Sequence, residues 1–212
     1  MPPPARAGAS SLFRRPTVGP VESEAYDEAT SEPLRSVGFV VDEGRGSLPY
    51  RLIHGEALVA AAAWAVGEAG VDLVDVTVPW HVVTDLGRPL VLHDPLCPMT
   101  PPDFIADCVQ RAVARDVVVV GVRPVSDTIK ELDGDRLGRT VDRDGLTMVC
   151  APVVLPPRVV RETQDRPTAD FVELVTRLRA SYDVELVEAP PAARRVGSDE
   201  DIEVLEALTD PR

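Results

Sequence analysis

Residues 117–122 read Val-Val-Val-Val-Gly-Val, a short run in which every side chain is apolar and β-branched. Stiff at χ1 and too short for a helix, such a run is a strand, and its lack of polar alternation requires cover on both faces. The chain must therefore build a sheet between helical layers. Residues 36–41 predict another buried strand, which feeds the loop Asp42-Glu43-Gly44-Arg45-Gly46-Ser47. A helix over 56–68 and a strand over 71–79 complete one β-α-β unit. Residues 89–92 predict a further strand, followed at once by His93-Asp94, and Thr100-Pro101-Pro102-Asp103 marks a helix start. Residues 137–149 alternate around the turn Asp142-Arg143-Asp144-Gly145 and predict a hairpin arm. Helices over 168–181 and 198–208, the second opened by Ser198 with Asp201, enclose a strand over 184–187. The expectation is an α/β fold with a mostly parallel sheet.

Charge and length bound the function. The 212 residues carry 22 basic and 35 acidic side chains, a net charge of −13, and Lys130 is the only lysine. Docking on nucleic acid or an anionic membrane needs clustered cations, so neither is expected. No apolar run approaches the ~20 residues that span a bilayer. Cys97, Cys108 and Cys150 show no C-x-x-C spacing, which predicts neither a disulfide framework nor a zinc knuckle and points to a reducing cytoplasm. Residues 1–35, rich in Pro, Ser, Ala and Glu without periodicity, predict a disordered leader before a single domain over 36–209.

Open α/β sheets bind ligands beyond the carboxyl ends of their strands. Two loops qualify. The G-x-G of Gly44-Arg45-Gly46 is either a phosphate cradle or a tight strand-to-helix connection. Asp94, directly after a strand, is either a holder of a divalent metal or sugar hydroxyl, or a helix-side cap. His93 reads as a packed strand-end histidine, Trp64 and Trp80 as core or interface anchors, and Cys97 and Cys108 as small apolar fillers.

Three segments together say more. Leu92-His93-Asp94-Pro95-Leu96-Cys97-Pro98, Arg123-Pro124-Val125-Ser126-Asp127-Thr128-Ile129-Lys130 and Arg139-Thr140-Val141-Asp142-Arg143 resemble, in order and spacing, the H-D-A-A-R-P, P-V-x-D-T-[IM]-K and T-[VL]-D-R motifs of the methylerythritol-phosphate cytidylyltransferase family of isoprenoid synthesis. A weaker likeness runs from Arg194 to Ile202. The resemblance implies a Rossmann-like nucleotidyltransferase sheet with a protruding β-arm over 123–149 that reaches into a second copy to form a homodimer. It implies transfer of CMP from CTP to a polyol phosphate with magnesium, by in-line attack on the α-phosphorus. Asp94 would lie at the metal and substrate, Thr128 and Arg143 at the acceptor phosphate, and Arg195 where the family has lysine. Arg keeps the charge of Lys and changes its geometry.

The nucleotide half departs from the pattern. Where the family reads A-A-G-x-G-x-R, this chain has Asp42-Glu43-Gly44-Arg45-Gly46-Ser47-Leu48. A carboxylate ~4 Å from a phosphate charge costs roughly 4 kcal/mol at an effective dielectric of 20. The cations expected to face the triphosphate are missing unless Arg45 or Arg51 supplies them. Residues 80–88 are too few for the family's second nucleotide-binding stretch, and the arginine of H-D-A-A-R-P is absent. Two expectations stand: a cytidylyltransferase with weakened or lost activity, or a catalytically silent dimeric paralogue that acts as a binding or regulatory partner.

Overall fold

The computed structural model describes residues 12–14, 35–125, 129–133, 136–143 and 145–210. Its elements in chain order are β1 (Leu12–Arg14), β2 (Ser36–Val40), β3 (Leu52–Ile53), β4 (Glu56–Ala57), α1 (Leu58–Glu68), β5 (Val71–Leu73), α2 (Trp80–Asp85), β6 (Leu90–His93), α3 (Pro102–Arg115), β7 (Val118–Pro124), β8 (Ile129–Asp133), β9 (Arg136–Val141), β10 (Leu146–Leu155), α4 (Pro157–Glu162), α5 (Phe171–Arg179), β11 (Val184–Glu188) and α6 (Asp199–Thr209).

The central sheet runs β11-β7-β10-β6-β2-β5. Five of these strands are parallel to one another and β10 alone opposes them, pairing antiparallel with both β6 and β7. The mostly parallel sheet expected from the sequence is therefore present, with one antiparallel strand at its centre. Strand alternation sorts the core. Leu90, Leu92, Val118, Val120 and Val122 face α4 and α5, where Val159, Val160, Phe171 and Leu174 meet them. Val91, Val119 and Val154 point the other way, onto Ala65 and Val66 of α1 and Ile105, Cys108 and Val109 of α3. A third cluster holds α6 in place: Ile202 and Leu205 meet Ile53, Leu58, Leu96 and Val196.

Several boundaries differ from the sequence reading. The first helix starts at Leu58 rather than 56, because His54 and Gly55, both at positive φ, close a two-residue turn that pairs β3 with β4. The strand expected over 71–79 ends at Leu73: the Asp75 carboxylate accepts the Thr77 N–H at 2.7 Å and turns the chain. Thr100 does not cap α3; Pro101 is the N-cap residue, and the Thr100 hydroxyl donates to the Cys97 carbonyl instead. Ser198 does cap α6, accepting from the Asp201 N–H at 3.2 Å. Within the expected leader, Leu12–Arg14 pairs antiparallel with β10, Leu12 opposite Met148 and Arg14 opposite Leu146. The remainder of residues 1–34 lies outside the described residues, as does Thr128. The hairpin expected around residues 142–145 does not form: β9 pairs with β8 rather than with β10, and among the described residues β8 and β9 make no ladder with the central sheet.

The ladder of β10 against β7 shifts register between Val149 and Val153. The bulge presses its backbone onto Gly121, where a Cβ would lie 2.7 Å from the Ala151 carbonyl oxygen. Because the obstacle is main chain, it cannot swing aside. Gly121→Ala is expected to cost about 1–3 kcal/mol of stability, read as a lower midpoint in urea unfolding with an unchanged slope.

Candidate functional site

β2 and β6 are parallel neighbours, so the loops that leave them, 41–47 and 94–101, emerge side by side at the carboxyl edge of the sheet. The first makes a tight turn in which Gly44 (φ 75°) and Gly46 (φ 62°) adopt the left-handed region that other residues resist. Between them Arg45 turns inward. Its Nε donates to Asp94 Oδ1 at 3.1 Å, one terminal nitrogen donates to the Ala169 carbonyl at 2.8 Å, and its guanidinium lies over the Phe171 ring.

Asp94 is the centre of the arrangement and is 3% exposed. Besides Arg45, its Oδ1 accepts the Leu96 N–H at 3.0 Å, while Oδ2 accepts Arg195 Nε at 3.0 Å. Arg195 arrives from the segment before α6, which is anchored where Val196 N–H donates to the Leu96 carbonyl at 2.7 Å. Burial opposes the Arg195 charge, but the Asp94 carboxylate outweighs it and holds the guanidinium pKa above its ordinary value. Two sequence-predicted cations and the predicted carboxylate thus meet in one buried ion cluster. Its charge, two positive against one negative, is +1.

The other expected site residues fall elsewhere. Arg51 forms a bidentate pair with Asp199, 2.8 Å at each nitrogen, on an exposed face. Asp42 accepts the Tyr50 hydroxyl at 2.8 Å and so is tied to its own loop. Arg143 lies exposed between β9 and β10. Trp64 is 64% exposed and is no core anchor, whereas Trp80 packs on the core and donates Nε1–H to the Thr163 carbonyl. Of residues 80–88, expected to be too few for a nucleotide-binding stretch, 80–85 form the short helix α2. Arg123, not anticipated from the sequence, stands on β7 at the same edge and donates to the Ala189 carbonyl at 2.7 Å. Nor was it evident that Arg45 would serve a carboxylate. The available signal was the arginine placed between two turn glycines, a position from which a side chain can reach the neighbouring strand end.

Magnesium, implied by the resemblance, takes several oxygen ligands with near-octahedral geometry. The residues present do not fit it. Both Asp94 oxygens are engaged by guanidinium cations that would repel a dication, and among the described residues no three His, Cys, Asp or Glu side chains group as metal ligands.

His93 is wholly buried beside the cluster. A carbonyl only accepts, so its Nε2 carries the hydrogen toward Cys97 O at 3.2 Å, leaving Nδ1 a bare acceptor without a partner. Burial lowers the imidazole pKa from 6.5 to about 4, against the smaller opposing pull of the Cys97 carbonyl and Asp94. Below pH 6.5 the unfolded chain binds a proton that the folded chain refuses, so stability falls as pH falls toward 4. The slope from this group reaches about 1.4 kcal/mol per pH unit, and His93→Leu is expected to flatten it in melts between about pH 4 and 7. Asp94→Asn, which leaves two half-buried guanidiniums without their anion, is expected to lower stability by about 1–3 kcal/mol in urea at about pH 7.

No family model matches the chain. The 2-C-methyl-D-erythritol 4-phosphate cytidylyltransferase of Corynebacterium diphtheriae is 25% identical over 196 residues, covering 90% of this chain and 73% of that one. The enzyme of the same name from Corynebacterium efficiens is 28% identical over 76% of this chain, which spans 62% of its length. The crystal structure of the Thermus thermophilus enzyme superposes with a TM-score of 0.59 at 20% identity, over 83% of this chain and 98% of that one, and so shares the fold. Among the described residues no helix is long and apolar enough to cross a membrane. The chain is a divergent, IspD-like relative of the 2-C-methyl-D-erythritol 4-phosphate cytidylyltransferases.

Proposed function

We propose that this chain descends from an enzyme that transferred CMP from CTP to methylerythritol phosphate, and that the transfer is weakened or lost. One observation carries this reading: the Asp94 carboxylate is held between Arg45 and Arg195. Nucleotidyl transfer proceeds by aligning phosphates and neutralising their charge, so it needs cations free to face phosphate oxygens. Here the arginine of the glycine loop is spent on an internal carboxylate, and releasing it would take one of two guanidinium partners from a buried charge. Gly44 and Gly46 keep the turn without a cation at its mouth. What is left for an acceptor phosphate is the single net positive charge of the Arg45–Asp94–Arg195 cluster, with Arg143 and the Thr128 hydroxyl proposed from the arm. We further propose a homodimer through β8 and β9, whose ladder is separate from the central sheet.

Pyrophosphate release with CTP, magnesium and methylerythritol phosphate tests the first claim. Loss of one phosphate clamp lowers turnover by about 100-fold or more, and a deficit of that size is expected against the C. diphtheriae enzyme assayed in parallel. Equal turnover overturns the reading. Calorimetry with CTP and magnesium adds a direct check on Arg45. If capture by Asp94 already withholds Arg45 from the phosphates, Arg45→Ala leaves CTP binding unchanged within about twofold, whereas clearly weaker binding makes Arg45 a nucleotide ligand and refutes the account. Sedimentation at micromolar concentration is expected to show a dimer that becomes monomeric when residues 126–143 are replaced by a short glycine-serine turn.

A further inference from the structure

Beside the ion cluster lie two thiols that nucleotidyl transfer does not use. Cys97, in the turn after β6, and Cys150, in the bulged part of β10, pack together with Ala151 as a small buried group of their own. Both side chains are closed off from solvent, 0% and 1% exposed. Both backbones are anchored. Cys97 N–H donates to the Asp94 carbonyl at 2.9 Å, and its own carbonyl accepts from Thr100 Oγ1 at 2.8 Å and from His93. The Cys150 thiol donates to the Met148 carbonyl at 3.8 Å.

We propose that Cys97 and Cys150 form a redox modification site, a dithiol that closes to an intramolecular disulfide on exposure to hydrogen peroxide. The surroundings assign the two roles. The adjoining Cys97 thiol and the guanidiniums of Arg123 and Arg195 outweigh burial and lower the Cys150 pKa, which supplies the attacking thiolate. Burial pushes the Cys97 thiol up, so it stays protonated until the second step. The Cys150 thiolate attacks one peroxide oxygen, the O–O bond breaks, and a sulfenic acid and hydroxide form. Cys97 sulfur then attacks the sulfenic sulfur, the S–O bond breaks, and water leaves with the Cys97 proton. In sum, two thiols and one hydrogen peroxide give one disulfide and two waters. Peroxide is small and uncharged, so a brief opening of the turn at 94–100 admits it.

Cys108 provides the internal reference. It is buried in α3 among apolar side chains, and burial pushes its thiol up to about 12. The full chain is treated with hydrogen peroxide, denatured, alkylated and weighed. The expected result is loss of two of the three alkylatable thiols as a pair, an unreduced peptide joining Cys97 to Cys150, and recovery of all three thiols with dithiothreitol. Persistence of all three thiols, conversion to sulfinic or sulfonic acids without the joined peptide, or cross-links between chains would each overturn the proposal. In Cys97→Ala the sulfenic acid is expected to persist on Cys150 and be trapped by dimedone at least tenfold faster than any label on Cys108. Equal labelling of the two refutes the assigned roles. The thiol count on the unaltered chain decides the matter even if that variant does not fold.

Discussion

A carboxylate taken out of water must be neutralised where it stands, and Asp94 is neutralised twice over, by Arg45 at 3.1 Å and Arg195 at 3.0 Å. Those contacts join three parts of the chain that are far apart in sequence. Arg45 belongs to the glycine turn after β2, Asp94 to the end of β6, and Arg195 to the segment that leads into α6. The Leu96 N–H and the Val196-to-Leu96 backbone bond complete the tie. The glycine turn and the segment before α6 are thereby tied to one buried group, while the apolar contacts of Ile202 and Leu205 hold α6 itself against β3.

That arrangement changes the chemistry of the edge where a sheet of this kind binds ligands. An arginine near a phosphate loop is ordinarily an asset, because a guanidinium left facing solvent offers donors to an anion. Here one such guanidinium is saturated by a carboxylate, a backbone carbonyl and an aromatic face. The departure from the cytidylyltransferases is thus a matter of which partner a cation chooses as much as of cations lost. Of the acids at 42 and 43, Asp42 accepts the Tyr50 hydroxyl, which ties its side chain to the loop and leaves its charge in place.

The buried surroundings of the cluster extend this logic to His93 and the thiol pair. Low polarity keeps the imidazole neutral, and the Arg195 guanidinium that compensates Asp94 also favours charge on Cys150. Burial therefore decides the state of His93, against the pull of Asp94, while the guanidinium charge acts on Cys150. Cys108, a few residues further along but enclosed by apolar side chains, behaves as filler.

Much of the fold was legible in the chain itself. The valine run of β7, the apolar run of Leu90, Val91 and Leu92, the stripe of α3 and the Ser198 cap all follow from local periodicity and capping, which depend on neighbours in sequence. The short β3–β4 hairpin, the helices α2 and α4, and the central antiparallel strand were not legible, because each is shorter than its pattern needs or, in β10, continuous with a segment that reads as an arm. The same division holds at the site. Sequence alone identified Asp94, Arg45 and Arg195 as candidates and matched them to a family by order and spacing. Only the tertiary structure decided that they bind one another, since hydrogen bonds between residues 49 and 101 positions apart depend on where the sheet brings its loops, which no local pattern encodes.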